Sequence, residues 1–140
     1  MHVAVDATAL ASGWSGIPKY TDRLVRQLQH HPDVQLTLLA NTSRHQFSGI
    51  DGVREVAVHR PGGGLWRNLF VRRWVARERP DVYWAPEMVL PHQLAVPTVV
   101  TIHDVTPLTM AHTKSLRAKL GFRALGDSVR HATRVIAVSD

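Results

Sequence analysis

His103 and Asp104 directly follow the β-branched run Thr98–Ile102. At the carboxyl end of a buried strand, an α/β fold places its working groups. A histidine there can exchange a proton near neutral pH, or fix a substrate hydroxyl by hydrogen bonding. The plain alternative is a histidine that only ties the strand end to its loop. A second candidate is the segment Asp6–Gly16, which leads straight into a helical pattern. Glycines there let a ligand approach backbone N–H groups at the positive end of a helix, where anions are favoured. Alternatively, Gly13 and Gly16 merely permit a tight turn. The segment lacks the G-x-G-x-x-G dinucleotide fingerprint, and no Gly-Lys-Ser/Thr phosphate loop occurs anywhere. His92 and His112 are weaker ligand candidates, and no histidine spacing suggests a metal.

Positioning such groups requires strands, and apolar β-branched runs recur at Val3–Val5, Val34–Leu39, Val53–Val58, Val82–Trp84, Val99–Ile102 and Val135–Val138. Several are almost continuously apolar, as in strands buried on both faces of a parallel sheet. Helical period separates them. Ile17, Tyr20, Leu24 and Leu28 share one face of a first helix, with Ser15 as N-cap and Pro32 as its stop. A second helix is expected from Leu65 to Glu78, carrying Leu65, Trp66, Leu69, Phe70 and Trp74 on one side. A third starts after Ser115, with Phe122, Leu125 and Val129 on one face. Between the second and third strands, residues 41–52 hold either a brief helical turn or an open loop. The expected fold is α/β: a doubly wound, mainly parallel, Rossmann-like sheet of about six strands with helices on both faces.

The 140 residues suit one domain, residues 1–140, and such a chain buries about 68–70% of its unfolded surface. The absence of cysteine excludes disulfides, zinc–thiolate sites, iron–sulfur clusters and a catalytic thiol. No apolar run approaches the ~20 residues of a membrane span. Met1–Asp6 does not read as a signal peptide, so a cytoplasmic location is expected.

The net charge of +6 is unevenly spread: zero over 1–58, +5 over 59–80, −3 over 81–113 and +4 over 114–140. Arg60, Arg67, Arg72, Arg73, Arg77 and Arg79 account for the first basic segment. A solvated helix face explains them better than nucleic acid does. With Trp66 and Trp74 they also compose a helix that could rest on an anionic membrane, giving peripheral contact with its inner face.

Three segments together resemble one family. They are Ser15-Gly16-Ile17-Pro18-Lys19-Tyr20-Thr21 after a strand ending in Asp6; Pro80–Pro91 followed by Val99–Leu108; and Arg134–Ser139. Their order and spacing are similar to the amino-terminal domain of the family 4 retaining glycosyltransferases of GT-B architecture. The resemblance implies a hexosyltransferase parent that moves a hexose such as mannose from a nucleoside-diphosphate sugar to a small-molecule, lipid-linked or oligosaccharide acceptor. It makes this chain the acceptor-side domain, with a carboxy-terminal nucleotide-sugar domain absent, and so inactive by itself. Glu55, Glu78 and Glu87 are the only glutamates, so the Glu-x7-Glu motif of that second domain is missing. His103 matches the family histidine beside the transferred sugar, and is the catalytic candidate. Ser15, Gly16, Lys19, Tyr20 and Asp104 match substrate-binding positions, Asp104 chiefly positioning its loop. Ser15 and Pro18 depart from the usual glycines, and Pro18 removes one N–H donor. No cofactor or metal is implied beyond the sugar nucleotide itself. Two other readings stay open. One is a non-catalytic module that binds nucleic acid or an anionic surface. The other is a stand-alone flavodoxin-like nucleotide-binding protein, which the missing phosphate motifs disfavour.

Overall fold

Buried strands in the middle of a sheet need apolar residues on both faces, and the pattern Val3–Asp6 and Leu36–Ala40 is buried throughout. In a computed structural model that describes residues 1–11, 16–60, 64, 66–104 and 116–138, these segments form β1 (His2–Asp6) and β2 (Gln35–Ala40). They are joined by β3 (Arg54–Ala57), β4 (Val82–Ala85), β5 (Thr98–Ile102) and β6 (Arg134–Ala137). All six run parallel in the order β3-β2-β1-β4-β5-β6. The order reverses between β1 and β4, where Val3 pairs with Val82 and Val5 with Trp84. In such sheets the crevice at the carboxyl ends of the two strands beside the reversal is where ligands bind.

Alternation along the strands divides the core. Val3, Val5, Leu36, Leu38 and Trp84 pack with Val25 and the partly buried Tyr20 and Leu24 of α1 (Gly16–Leu28). Ala4, Leu39, Tyr83, Ala85, Val100 and Ile102 face the other way. They are covered by a π-helical segment (Trp66–Val71), by α2 (Arg72–Glu78), and by Leu125 of α3 (Leu116–His131). The expected doubly wound sheet is therefore the observed one.

Several details differ from the sequence expectation. The second helix is not α-helical along its length. In its first part, i→i+5 winding replaces i→i+4, which puts Trp66 and Val71 together in the core at 1% and 0% exposure. Leu69 is left 61% exposed, while Arg67 turns inward, so the apolar side drawn from a 3.6-residue period is wrong there; Leu65 lies outside the described residues. On α3, Leu125 and Ser128 are buried, whereas Val129 is exposed instead of facing the sheet. Strand β6 forms as expected but lies at the sheet edge, with all four residues exposed. Residues 41–52 take the open-loop alternative, with Phe47 and Ile50 buried beneath it. The Glu55 carboxylate organises this loop by accepting the Phe47 and Ser48 N–H groups at 2.9 and 3.2 Å.

Candidate active site at the carboxyl edge of the sheet

His103 stands at the end of β5, on the α1 side of the sheet. It is half-buried, and its Nε2–H donates to the Pro86 carbonyl just beyond β4, at 2.8 Å. Donation from Nε2 leaves Nδ1 of the neutral imidazole as an acceptor. The Tyr20 ring meets the imidazole edge-on, with centroids 4.8 Å apart and planes at 88°. Behind them the Trp84 Nε1–H donates to the buried Thr101 hydroxyl at 2.9 Å, and the Tyr20 hydroxyl lies 3.4 Å from the same oxygen. Tyr20 and Trp84 also meet edge-on, at 6.2 Å. A residue on α1 and one at the end of β5 are thus held by a chain of aromatic edges and hydroxyls. Fixing an imidazole in this way orients it toward one hydrogen-bonding partner.

Of the other sequence candidates, Gly16 opens α1 and is exposed. Its φ is not positive, and among the described residues nothing lies within 4 Å of where a Cβ would be. Neither its backbone conformation nor packing among the described residues therefore requires glycine there. Lys19 is exposed on the same first turn, and Asp104 is exposed beyond His103. Ser15 lies outside the described residues.

A second cluster was not expected. Asp6, at the end of β1, is fully buried and accepts the Thr8 N–H and hydroxyl on one oxygen, at 3.2 and 2.7 Å. Its other oxygen lies 3.4 Å from Nε of Arg67, which comes from the π-helical segment. The Arg67 Nη2 donates to Glu87, past the end of β4, at 2.9 Å. Two carboxylates thus share one guanidinium at the point where the strand order reverses. Burial above all, then the Asp6 carboxylate, raises the Glu87 pKa, and Arg67 only partly counters them. Burial, with Asp6 again beside it, pushes the Tyr83 hydroxyl well above its ordinary value. Asp6 Oδ2, Arg67 Nε and the Tyr83 hydroxyl are buried without a well-aligned hydrogen bond. The sequence signal was available: Glu87 lies in a segment, 81–113, that has no Lys or Arg to pair with it.

The loop that begins at Pro86 is bent by two non-glycine residues with positive φ, Met88 at 66° and Gln93 at 52°. Each such residue costs about 1–2 kcal/mol, and observed strain of this kind gathers at functional sites. Trp66 and Trp74 are 1% and 5% exposed, so the face that α2 and the π-helical segment turn to solvent carries Leu69, Arg72 and Arg73 but no tryptophan. Among the described residues, no helix is long and apolar enough to cross a membrane, and no three His, Asp or Glu residues group as metal ligands.

A comparison with protein families decides what the fold alone leaves open. Residues 14–140 match the model of Glycosyltransferase Family 4. The chain belongs to that family, as its amino-terminal domain. Neither the curated proteins nor the solved structures contain a significant match. The match takes in the start of α1, the loop after β4 and the His103 strand end, the regions that build this edge.

Proposed function

We propose that this glycosyltransferase domain is the acceptor-side half of a two-domain GT-B enzyme. That enzyme transfers a hexose from a nucleoside-diphosphate sugar to an acceptor, with retention of configuration. The observation that carries the reading is His103, fixed through Nε2 to the Pro86 carbonyl and edge-on to Tyr20. Its Nδ1 is the acceptor for a hydroxyl of the transferred sugar, and Pro86 and Tyr20 keep that acceptor in one orientation. Such preorganisation helps a transition state because the dipole need not turn as charge develops. Gly16, opening α1, leaves backbone room at the positive end of the helix for the donor's diphosphate, with Lys19 on the same turn. A carboxy-terminal domain supplies the remaining contacts to the nucleotide. The acceptor enters over the loop after β4.

The test is turnover with a panel of nucleoside-diphosphate hexoses. The two-domain enzyme transfers sugar, and the 140-residue chain alone does not. In the two-domain enzyme, His103→Ala lowers turnover about 10²–10³-fold, the scale of losing one preorganised hydrogen-bonding group. The melting temperature changes little, because His103 is only half-buried. Normal turnover by His103→Ala would return the histidine to a purely structural role.

A further inference from the structure

On the sheet face opposite His103 lies a cavity of about 250 Å³. Its walls come from the π-helical segment, the loop after β4 and α3. The three are pinned to one another. The His92 N–H donates to Asn68 Oδ1 at 2.8 Å, and the Leu90 N–H donates to the Ser128 hydroxyl at 2.9 Å, which in turn donates to the Ala124 carbonyl. The cavity is thus preformed, as small-molecule sites generally are, and it falls a little below the volume range of drug-sized pockets. It suits one small ring better than a nucleotide.

The lining chooses the chemistry. Arg67 brings a guanidinium already shared by the Asp6 and Glu87 carboxylates, which lie outside the wall, and the wall itself adds the Asp127 carboxylate, 3.7 Å from Arg130 Nη1. That balance disfavours an anionic occupant. Asn68, His92 and Asp127 mix donors with acceptors, which suits hydroxyl groups, since each hydroxyl both donates and accepts. Leu90 and Pro91 supply an apolar surface beside them, suited to the C–H face of a ring. One loop serves both places: Pro86 at its start accepts the His103 bond, and Val89–Gln93 line the cavity.

We propose that this cavity is a subsite for one neutral, hydroxyl-rich sugar ring, a unit of the acceptor held apart from the reacting centre. Asn68, His92 and Asp127 meet its hydroxyls, and Leu90 and Pro91 lie against its apolar face. The identity of the ring as part of the acceptor rests on the sugar-transfer reading; the existence of the subsite does not.

Binding is therefore measured without turnover. The isotope-labelled chain is titrated with methyl α-D-mannopyranoside while backbone amide shifts are followed by NMR, with inorganic phosphate as the anionic comparison. Saturable shifts are expected at Asn68, Val89–Gln93 and Asp127, with phosphate leaving them in place. His92→Ala and Asp127→Ala, both changes at solvent-accessible side chains, each weaken the glycoside at least about fivefold while the rest of the spectrum keeps its native positions. The proposal is overturned by the absence of saturable shifts, by an equal response to phosphate, or by affinity unchanged in both variants. Absent binding alongside a disabling His103→Ala removes the subsite and leaves the transfer reading intact. Saturable binding alongside no transfer from any sugar nucleotide keeps the subsite and removes that reading.

Discussion

The two faces of the sheet carry different kinds of polar structure at the same carboxyl edge. On the α1 face, His103, Tyr20, Thr101 and Trp84 are linked by single hydrogen bonds and ring edges, and none of these links is an ion pair. On the opposite face, Asp6, Arg67 and Glu87 form a charged set in which one cation answers two acids. The distinction is energetic. A neutral link can be removed piece by piece, each step costing about one desolvated group. A buried charged set fails when one member is lost, because the others keep their charge and lose its compensation. The first face is thus suited to orienting a single imidazole, and the second to holding a β-strand end, a helical segment and a loop in fixed relation.

Removing the shared cation is the severest way to break that contrast. Arg67→Met keeps much of the side chain's bulk but leaves the buried Asp6 and the partly buried Glu87 without a counter-charge. The expected loss is about 3–5 kcal/mol of unfolding free energy in urea titration. Adding Glu87→Gln to the same chain should restore part of it, because one of the two stranded charges is then gone. A loss below about 1 kcal/mol would mean that solvent already compensates the acids and that the cluster does not bind the elements together.

On the neutral face the comparable change is Thr101→Val, which preserves shape and removes the hydroxyl. The Trp84 Nε1–H, in a side chain 4% exposed, is then left without its partner. The expected loss is about 1–3 kcal/mol, smaller than for Arg67→Met. Thr101→Val made in a Trp84→Phe background should cost distinctly less, since no buried donor is stranded. A double-mutant cycle measures that difference, and strict additivity would show that the Trp84–Thr101 bond contributes nothing.

How much of this was legible depends on which force set each feature. The six strands follow from apolar runs, and the His103 site follows from a polar pair closing one of them. Tyr20 was a candidate through the family resemblance, but its edge-on contact with His103 joins residues from α1 and the end of β5 that only the strand order brings together. The inward turn of Arg67 was not readable, because a 3.6-residue period does not apply to the π-helical segment where it sits. Val129 and β6 show a second limit: apolar residues mark an element, but position within the layers decides whether they are covered. The Asp6–Arg67–Glu87 set is charged, and hydrophobic periodicity says nothing about which distant acid meets which base.

The smallest expected effect concerns the balance inside that set, and it appears as a slope with pH more than as a level. Glu87 has its pKa raised in the folded chain, by burial first and by Asp6 next, against the opposing pull of Arg67. The folded state therefore favours the protonated carboxyl relative to the unfolded chain. That contribution is complete below the ordinary glutamate value and is lost as the pH rises through the folded value. Glu87→Gln has no such proton to lose. Urea titrations of both chains between about pH 4 and pH 8 should show the difference in stability moving in favour of the glutamine variant as the pH rises. Movement toward the wild type would show that Arg67 outweighs burial and Asp6 together. Glu87 would then be one half of an ordinary ion pair, and the two faces of the sheet would differ in charge but not in how tightly that charge is held.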